Sequence, residues 1–184
     1  MKKATWFLFA LGGMASLCLV MALFFGKAQY QDVIEPAKIV DYEGADAVIA
    51  DSVLIVRVKK TSETPITYSL EGGLQDCFTL SVVKVEEIFK NSGNSSISEG
   101  SELDILESQW TDKENRIIHH TEGYLKMETG KQYYLLLGQN PSVSNYYPVG
   151  LLYGKIPVDP DERLFLGEGY EQVKNVIEGL RQIF

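Results

Sequence analysis

The sequence predicts a mainly β, mostly antiparallel domain with a C-terminal amphipathic helix, preceded by an N-terminal transmembrane helix. Three observations support this fold class. Residues 4–25 contain no charged residue and no proline. From residue 46 onward, extended apolar runs alternate with turn-rich breaks, which is typical of antiparallel sheets. From residue 167 the apolar residues recur at steps of three and four, which predicts an amphipathic helix.

The N-terminal apolar run is long enough to cross a membrane. Residues 4–25 would rise about 33 Å as a helix, against about 30 Å of hydrocarbon. Because a cleavable signal peptide usually has an apolar region of only about 7 to 15 residues, this length favours an uncleaved anchor. Lys2 and Lys3 predict that the N-terminus stays in the cytoplasm and the rest of the chain lies outside. The alternative is a signal peptide cleaved after Ala28, which would make the protein secreted.

The chain divides into three predicted parts. Residues 1–28 form the membrane anchor or signal segment, and residues 29–38, which are polar and include Pro36, form a tether. Residues 39–184 form one extracytoplasmic domain, because the roughly 155 residues after the anchor suffice for one core and are too few for two.

Two long strands are predicted in the first half of the domain. The first covers residues 48–58, in whose second half alternate residues are apolar. Residues 61–73 contain a proline and two adjacent glycines and predict a loop or hairpin turn. The second strand covers residues 77–90, and its apolar face switches between Val82 and Val83. This switch predicts a β-bulge or a sharp bend, and long bent strands are typical of closed barrels.

The second half of the domain predicts shorter strands and the terminal helix. Strands are expected at 102–107, 123–127, 132–137 and within 146–156, whereas 110–122 is a polar excursion. In the third strand, Leu103 and Ile105 should point inward. The helix should bury an apolar stripe that consists of Tyr170, Val173, Ile177, Leu180 and Phe184.

The charge balance excludes one class of partner. The chain carries 17 basic and 25 acidic residues, a formal net charge of -8. An acidic protein is repelled by phosphate backbones, and no basic run of five residues occurs. We therefore expect no nucleic-acid partner.

Four segments share a pattern of strands and glycines: residues 45–48, the strand from Val82 into Phe89-Lys90, the strand 100–106, and Thr129-Gly130-Lys131 before the strand 133–137. This pattern, which spans residues 39–158, resembles a recurrent exported bacterial domain that is similar to the N-terminal domain of tissue inhibitors of metalloproteinases. The resemblance implies an OB-like antiparallel β-barrel. Inhibitory members use an N-terminal cysteine whose amine reaches the protease zinc. This chain lacks that cysteine, so the resemblance implies the fold and not the inhibitory role.

A few side chains are candidates for chemistry. His119 and His120 are adjacent, and neighbouring residues of a strand point to opposite faces, so the pair cannot bind one metal ion. Asp159 and Asp161 could donate oxygens to calcium, although Asp-Pro is first of all a turn signal. Cys77 is the only cysteine after the anchor, so the domain has no intramolecular disulfide, and a catalytic thiol would need a histidine partner. No cofactor motif is recognised, and none is predicted.

Exposed aromatic residues suggest a binding surface. Trp110 lies in the polar excursion, and Tyr146 and Tyr147 follow a loop, where they form a patch for a protein or a glycan or else cover the ends of the barrel. The leading hypothesis is a binding or structural module, held to the membrane by its N-terminal helix, that recruits another envelope protein or a glycan. The alternative is a metal-dependent or acid-base envelope hydrolase that uses Asp159, Asp161 or His119.

Overall fold

The computed structural model describes residues 29–69, 75–92, 96–139 and 145–184. The predicted membrane anchor, residues 1–28, lies outside the described residues. Among the residues that are described, no helix is both long enough and apolar enough to cross a bilayer.

The described chain is mainly β strand and ends in a helix, so the coarse fold prediction is confirmed. The two helices are α1 (Ala45–Asp51) and α2 (Glu171–Arg181). The strands are β1 (Gln31–Glu35), β2 (Leu54–Ser69), β3 (Gln75–Asn91), β4 (Glu102–Glu107), β5 (Gln109–Asp112), β6 (Ile117–Thr121), β7 (Gln132–Gln139), β8 (Tyr146–Pro148) and β9 (Lys155–Pro157).

The strands belong to two sheets. The larger sheet has the order β2-β3-β4-β8-β7-β9, and β7 also pairs with β2. The pairings from β2 through β3, β4, β8 and β7 therefore return to β2. They are antiparallel except for β4 with β8, which share one residue pair, Ile105 with Tyr146. The smaller sheet has the order β1-β6-β5, with β1 parallel to β6.

The hydrophobic core has two parts, on opposite faces of β2 and β7. Leu54, Val56 and Val58 face one cluster together with Leu135 and Leu137 of β7. The residues between them, Ile55 and Leu136, face the other cluster, which also holds α1 and the buried stripe of α2. Residues 54–56 of β2 and 135–137 of β7 are covered on both faces, which explains why these two stretches are continuously apolar.

The strand expected at residues 48–58 begins later than predicted. Residues 45–51 form α1, and only residues from Leu54 onward form a strand. Helical spacing brings Ala45, Val48 and Ile49 onto the second core cluster, and Ser52 ends the helix by donating its hydroxyl to the Val48 carbonyl at 2.7 Å. Packing of this short apolar face outweighs the strand preference of Val48 and Ile49.

Several other segments differ from expectation. The polar excursion 110–122 contains the β5–β6 hairpin, whose turn is held by the Asp112 carboxylate, which accepts the N–H groups of Glu114 and Asn115. Half of the predicted tether forms β1, and most of the predicted loop 61–73 belongs to β2. Residues 123–127 are not a strand, apart from a single bridge between Tyr124 and Phe165.

The face switch predicted between Val82 and Val83 of the second strand is wrong, although the pairing of this strand is irregular. Lys60 pairs with Val83 and Ser62 with Val82, so the extra residue of the bulge at this point is Thr61 of β2. The buried face of β3, however, consists of Thr79, Ser81, Val83 and Val85. Its first half therefore turns hydroxyl groups inward, where the sequence suggested an apolar face of Phe78, Leu80 and Val82.

The α2 helix should contribute strongly to stability through its buried stripe. Ile177 has no exposed surface. We expect Ile177→Ala to lower the free energy of unfolding by about 3 kcal/mol, because it leaves a cavity against the core. Ile183→Ala, at a half-exposed position just after the helix, is the matched control and should change it by less than about 0.5 kcal/mol. Urea titrations of both variants measure the difference, and equal losses would contradict the packing of α2.

Candidate functional site

The carboxylate of Glu107, at the end of β4, is completely buried in the interior. Its Oε1 accepts a hydrogen bond from the Ser81 hydroxyl and one from the Lys60 ammonium at 3.3 Å. Its Oε2 accepts from the Tyr124 hydroxyl at 2.9 Å and from the Met127 backbone N–H at 2.7 Å. Four donors from three parts of the chain thus satisfy one buried charge.

Lys60 is the cation that neutralises this carboxylate. Its Nζ also donates to the Glu63 carboxylate at 2.5 Å and to the Met127 carbonyl at 2.7 Å, so all three of its N–H bonds have acceptors. The Lys60 side chain has no exposed surface. A buried charge is tolerated when it is paired and fully hydrogen-bonded, and both members of this pair meet that condition.

Lys155, on β9, is a second buried ammonium in a more apolar setting. Its Nζ donates to the Leu125 carbonyl and lies 4.9 Å from the centre of the Tyr124 ring and 5.9 Å from that of Tyr133. Within the described parts of the chain, no carboxylate lies within ion-pair distance of it. Burial therefore lowers the pKa of Lys155 to about 8, partly offset by the charges of Glu107 and Glu162.

A polar pocket of about 450 Å³ lies beside this buried network. Its lining includes Leu125 and Met127, whose carbonyls accept from the two buried lysines, but not the lysines themselves. The Ser81 hydroxyl has no exposed surface and donates to a carboxylate. The network is therefore internally satisfied and presents no nucleophile to the pocket.

His119 takes part in a surface stack. Its ring lies parallel to that of Trp110, with centroids 3.9 Å apart, and its Nδ1 lies 2.6 Å from a carboxylate oxygen of Glu35 on β1. Antiparallel pairing of β5 with β6 places these two rings directly opposite each other. Trp110 thus covers a hairpin, and its flat contact with His119 occupies one face of the indole.

His120 points to the opposite side of β6 and is buried. Its Nδ1 lies 3.0 Å from the Tyr124 carbonyl oxygen, and its Nε2 lies 2.9 Å from a carboxylate oxygen of Asp32 on β1. The two histidines therefore face different partners, as their adjacency in a strand requires.

Asp159 and Asp161 belong to a turn. The Asp159 carboxylate accepts the Asp161 backbone N–H at 3.0 Å, which is the side-chain bond of an Asx turn. The next residue, Glu162, points inward instead, and its carboxylate accepts from the Tyr133 hydroxyl at 2.6 Å and pairs with Lys131 at 3.1 Å. The described contacts do not bring these aspartates to His119.

Tyr146 and Tyr147 lie on opposite faces of β8. Tyr146 is 5% exposed and belongs to the core, which does not fit a role in binding a partner. Tyr147 is 42% exposed, and its ring lies against Gly138, where a Cβ would come within 2.6 Å of the ring. Tyr147 also borders an apolar groove of about 320 Å³, together with Ile39, Val40, Leu106, Pro148 and Leu151. The described contacts of Trp110 and Tyr147 are with different residues, so the structure does not join them into one patch.

Comparisons with known proteins return no match. No protein-family model, no curated protein and no solved structure matches the chain. In the described ranges, no three His, Cys, Asp or Glu side chains are grouped as a metal ion would need. The functional interpretation therefore depends on the geometry alone.

The buried network was not predicted, although one signal for it exists in the sequence. The alternation that turns Leu103 and Ile105 inward also turns Glu107 inward. A carboxylate at an inward position requires a buried cation. In β2, Lys60 continues the inward alternation of Val56 and Val58 and supplies that cation. The hydrogen bonds from Tyr124 and Met127 could not be predicted, because the apolar residues of their segment follow no helix or strand period.

Removing the charge of Glu107 should destabilise the fold. Glu107→Gln keeps the size of the side chain but leaves the buried Lys60 with one fewer anion, and we expect a loss of about 3 kcal/mol in the free energy of unfolding. Glu102→Gln, on the exposed face of the same strand, should cost less than about 0.5 kcal/mol. Urea titration at pH 7 compares them, and a loss below 1 kcal/mol for Glu107→Gln would show that the network is dispensable.

Stability should rise with pH just above neutrality because of Lys155. Its pKa of about 8 in the folded state is below the ordinary value of 10.5, so folding carries a charge penalty that is full below pH 8 and is relieved as the pH rises toward 10.5. Between pH 8 and 9.5 the free energy of unfolding should increase by about 1.5 kcal/mol. Above pH 10 the buried tyrosines oppose this, since burial raises the pKa values of Tyr124 and Tyr133.

The control for this pH dependence is Lys155→Met, which keeps an apolar chain of similar length. Its unfolding free energy should be nearly constant from pH 8 to 9.5. A variant that retains the full rise would assign the pH dependence to another group.

Proposed function

We propose that the protein is a membrane-anchored extracytoplasmic binding module, built on an OB-like barrel, that recruits another envelope protein or a glycan. The proposed contact surface is the groove bordered by Tyr147. The membrane anchor rests on the length and apolarity of residues 4–25 and on the two lysines that precede them.

The strand pairings support the barrel. Five strands, β2, β3, β4, β8 and β7, are joined in a cycle of neighbours. Its single parallel step, between β4 and β8, consists of one residue pair. A five-stranded barrel that is partly open at one seam is the architecture expected of an OB-like fold.

The observation that carries the binding proposal is the exposed ring of Tyr147. It is held in place by contact with Gly138, so little side-chain entropy is lost when a partner covers it. Rigid, half-exposed aromatic rings beside apolar grooves are the usual anchors of protein contacts. The lining of Ile39, Leu106, Pro148 and Leu151 favours an apolar side chain from a protein partner, whereas a glycan would stack on the open face of the ring.

The interior supports binding over chemistry. The buried acidic and basic groups around Glu107 are engaged with one another and do not line the pocket beside them. The hydrolase alternative would need Asp159, Asp161 or His119 at a common cleft, and these side chains have separate partners.

Replacing the exposed ring should weaken partner binding. Tyr147→Ala in the full-length chain should weaken capture of a crosslinked envelope partner by roughly 30-fold, which corresponds to about 2 kcal/mol for an aromatic anchor. The measurement is the yield of the crosslinked complex from solubilised membranes, relative to unmodified protein.

The matched control is Tyr68→Ala, which removes another partly exposed tyrosine, on β2. It should leave the yield unchanged. If both variants capture the partner equally well, the groove at Tyr147 is not the contact surface. If neither the unmodified chain nor the variants capture any protein or glycan, the binding function itself is wrong.

A further inference from the structure

The distance between the apolar run and the folded domain is short. The run ends at residue 25 and β1 begins at Gln31, so six Cα steps of about 3.5 Å limit the separation to roughly 20 Å. Had residues 29–38 been a tether, the domain could have stood roughly 50 Å away. A domain of this size has a radius of gyration of about 15 Å, so the available reach is about the domain's own radius.

The parallel pairing of β1 with β6 decides which end of the small sheet is near the membrane. Gln31 lies beside Ile117, and its N–H bonds to the Arg116 carbonyl at 2.9 Å. The turn between β5 and β6, residues 113–116, is therefore at the same end as the start of β1. The opposite end, at Glu35 and beyond, is about 13 Å farther along the strand at about 3.3 Å per residue.

The side chains at this end suit the headgroup layer of a bilayer. Tyr30 is 37% exposed, and tyrosine is enriched at membrane interfaces. Lys113 and Arg116 are exposed in the turn and can reach phospholipid phosphates, and the exposed Glu114 between them offsets one of the two charges. The carboxylate of Asp112, in contrast, is occupied by the backbone N–H groups of the turn.

The far half of the strand is unsuited to contact with lipid. Asp32 and Glu35 carry side chains that are about half exposed, on opposite faces of β1. Laying the sheet flat on the bilayer would bring one of these carboxylates against the anionic and apolar layers, at a cost in desolvation. An end-on orientation keeps Glu35 in water and leaves Asp32, whose carboxylate is paired with His120, at the outer edge of the headgroup layer.

We propose that the β5–β6 turn, together with Tyr30, rests in the phospholipid headgroup layer of the membrane that the chain itself spans, with the small sheet standing end-on. This inference rests on the proposed anchoring of the protein. It makes the small sheet a spacer of fixed length that holds the larger sheet in a defined orientation above the bilayer, with the distal end of β1 in water.

The test uses the full-length chain, reconstituted in vesicles of phosphatidylcholine and phosphatidylglycerol. Cys18 and Cys77 are first replaced by serine, and a fluorophore is attached to a single new cysteine. Glu114→Cys reports on the turn and Ala37→Cys, just beyond the far end of β1, is the matched control, since both positions are exposed. Quenching by a headgroup-nitroxide lipid should be at least about threefold stronger at 114 than at 37. Collisional quenching requires contact with the lipid, and position 37 lies about one strand length farther from the bilayer.

Three outcomes are distinguishable when flotation of the protein with the vesicles is measured on the same samples. Equal quenching at the two positions would overturn the end-on orientation. Absence of quenching at 114 in protein that floats would show that the domain stands away from the bilayer, although the anchoring holds. Protein that does not float would overturn the proposed anchoring and this inference together.

Discussion

The buried carboxylate of Glu107 is the constraint that organises the interior. Its donors come from β2, from β3 and from the segment after β6, so three parts of the chain must be in place before the charge is satisfied. A buried ion pair contributes little net stability, because desolvation offsets much of the attraction. The pair instead disfavours alternative conformations, because any conformation that moves Lys60 or Tyr124 away leaves an unsatisfied charge in an apolar interior. The segment 122–128 has almost no regular structure. Its conformation is fixed because it donates hydrogen bonds to Glu107 and supplies carbonyl acceptors to Lys60 and Lys155.

The same network connects the two sheets. His120 donates its Nδ1–H to the carbonyl of Tyr124, and its Nε2 faces the carboxylate of Asp32 on β1. The hydroxyl of Tyr124 in turn donates to Glu107. Polar contacts therefore lead without interruption from the first strand to the interior of the larger sheet. This path runs from the small sheet through the irregular segment 122–128 to the larger sheet. Hydrogen bonds, together with apolar packing, therefore align the two sheets.

The parts of the fold that could be predicted from sequence are those in which one periodicity operates over a whole element. The β4 strand and the α2 helix are the best cases, because the apolar residues of each lie on one buried face. These residues are Leu103 and Ile105 in β4, and Val173, Ile177 and Leu180 in α2. The predictions failed where contacts distant in sequence decide the structure. Ala45 to Asp51 is helical because it packs on α2, and residues 31–35 of the predicted tether are a strand because β6 offers them backbone partners.

The candidate surface illustrates the same limit. The position of Tyr147 after a loop predicts its exposure. Tyr146 lies in the core because side chains alternate between the two faces of β8, and the sequence pattern within 146–156 does not locate this short strand. The support that Gly138 gives to the ring depends on a pairing between β7 and β8. Nothing in the local sequence of either segment specifies that contact.

The parallel pairing of β1 with β6 also has a consequence for the order of folding. Gln31 and Ile117 are partners separated by a long stretch of chain, in which β2, β3 and β4 and the first strand of the hairpin lie. During synthesis β1 is made before its partner, which is completed only after β2, β3 and β4 of the larger sheet. Contacts of such sequence separation are closed slowly, because the loop entropy is lost before they form. The N-terminal strand should therefore remain unpaired until β6 has been made, so that its attachment to the small sheet comes after the β2–β3–β4 part of the larger sheet has formed.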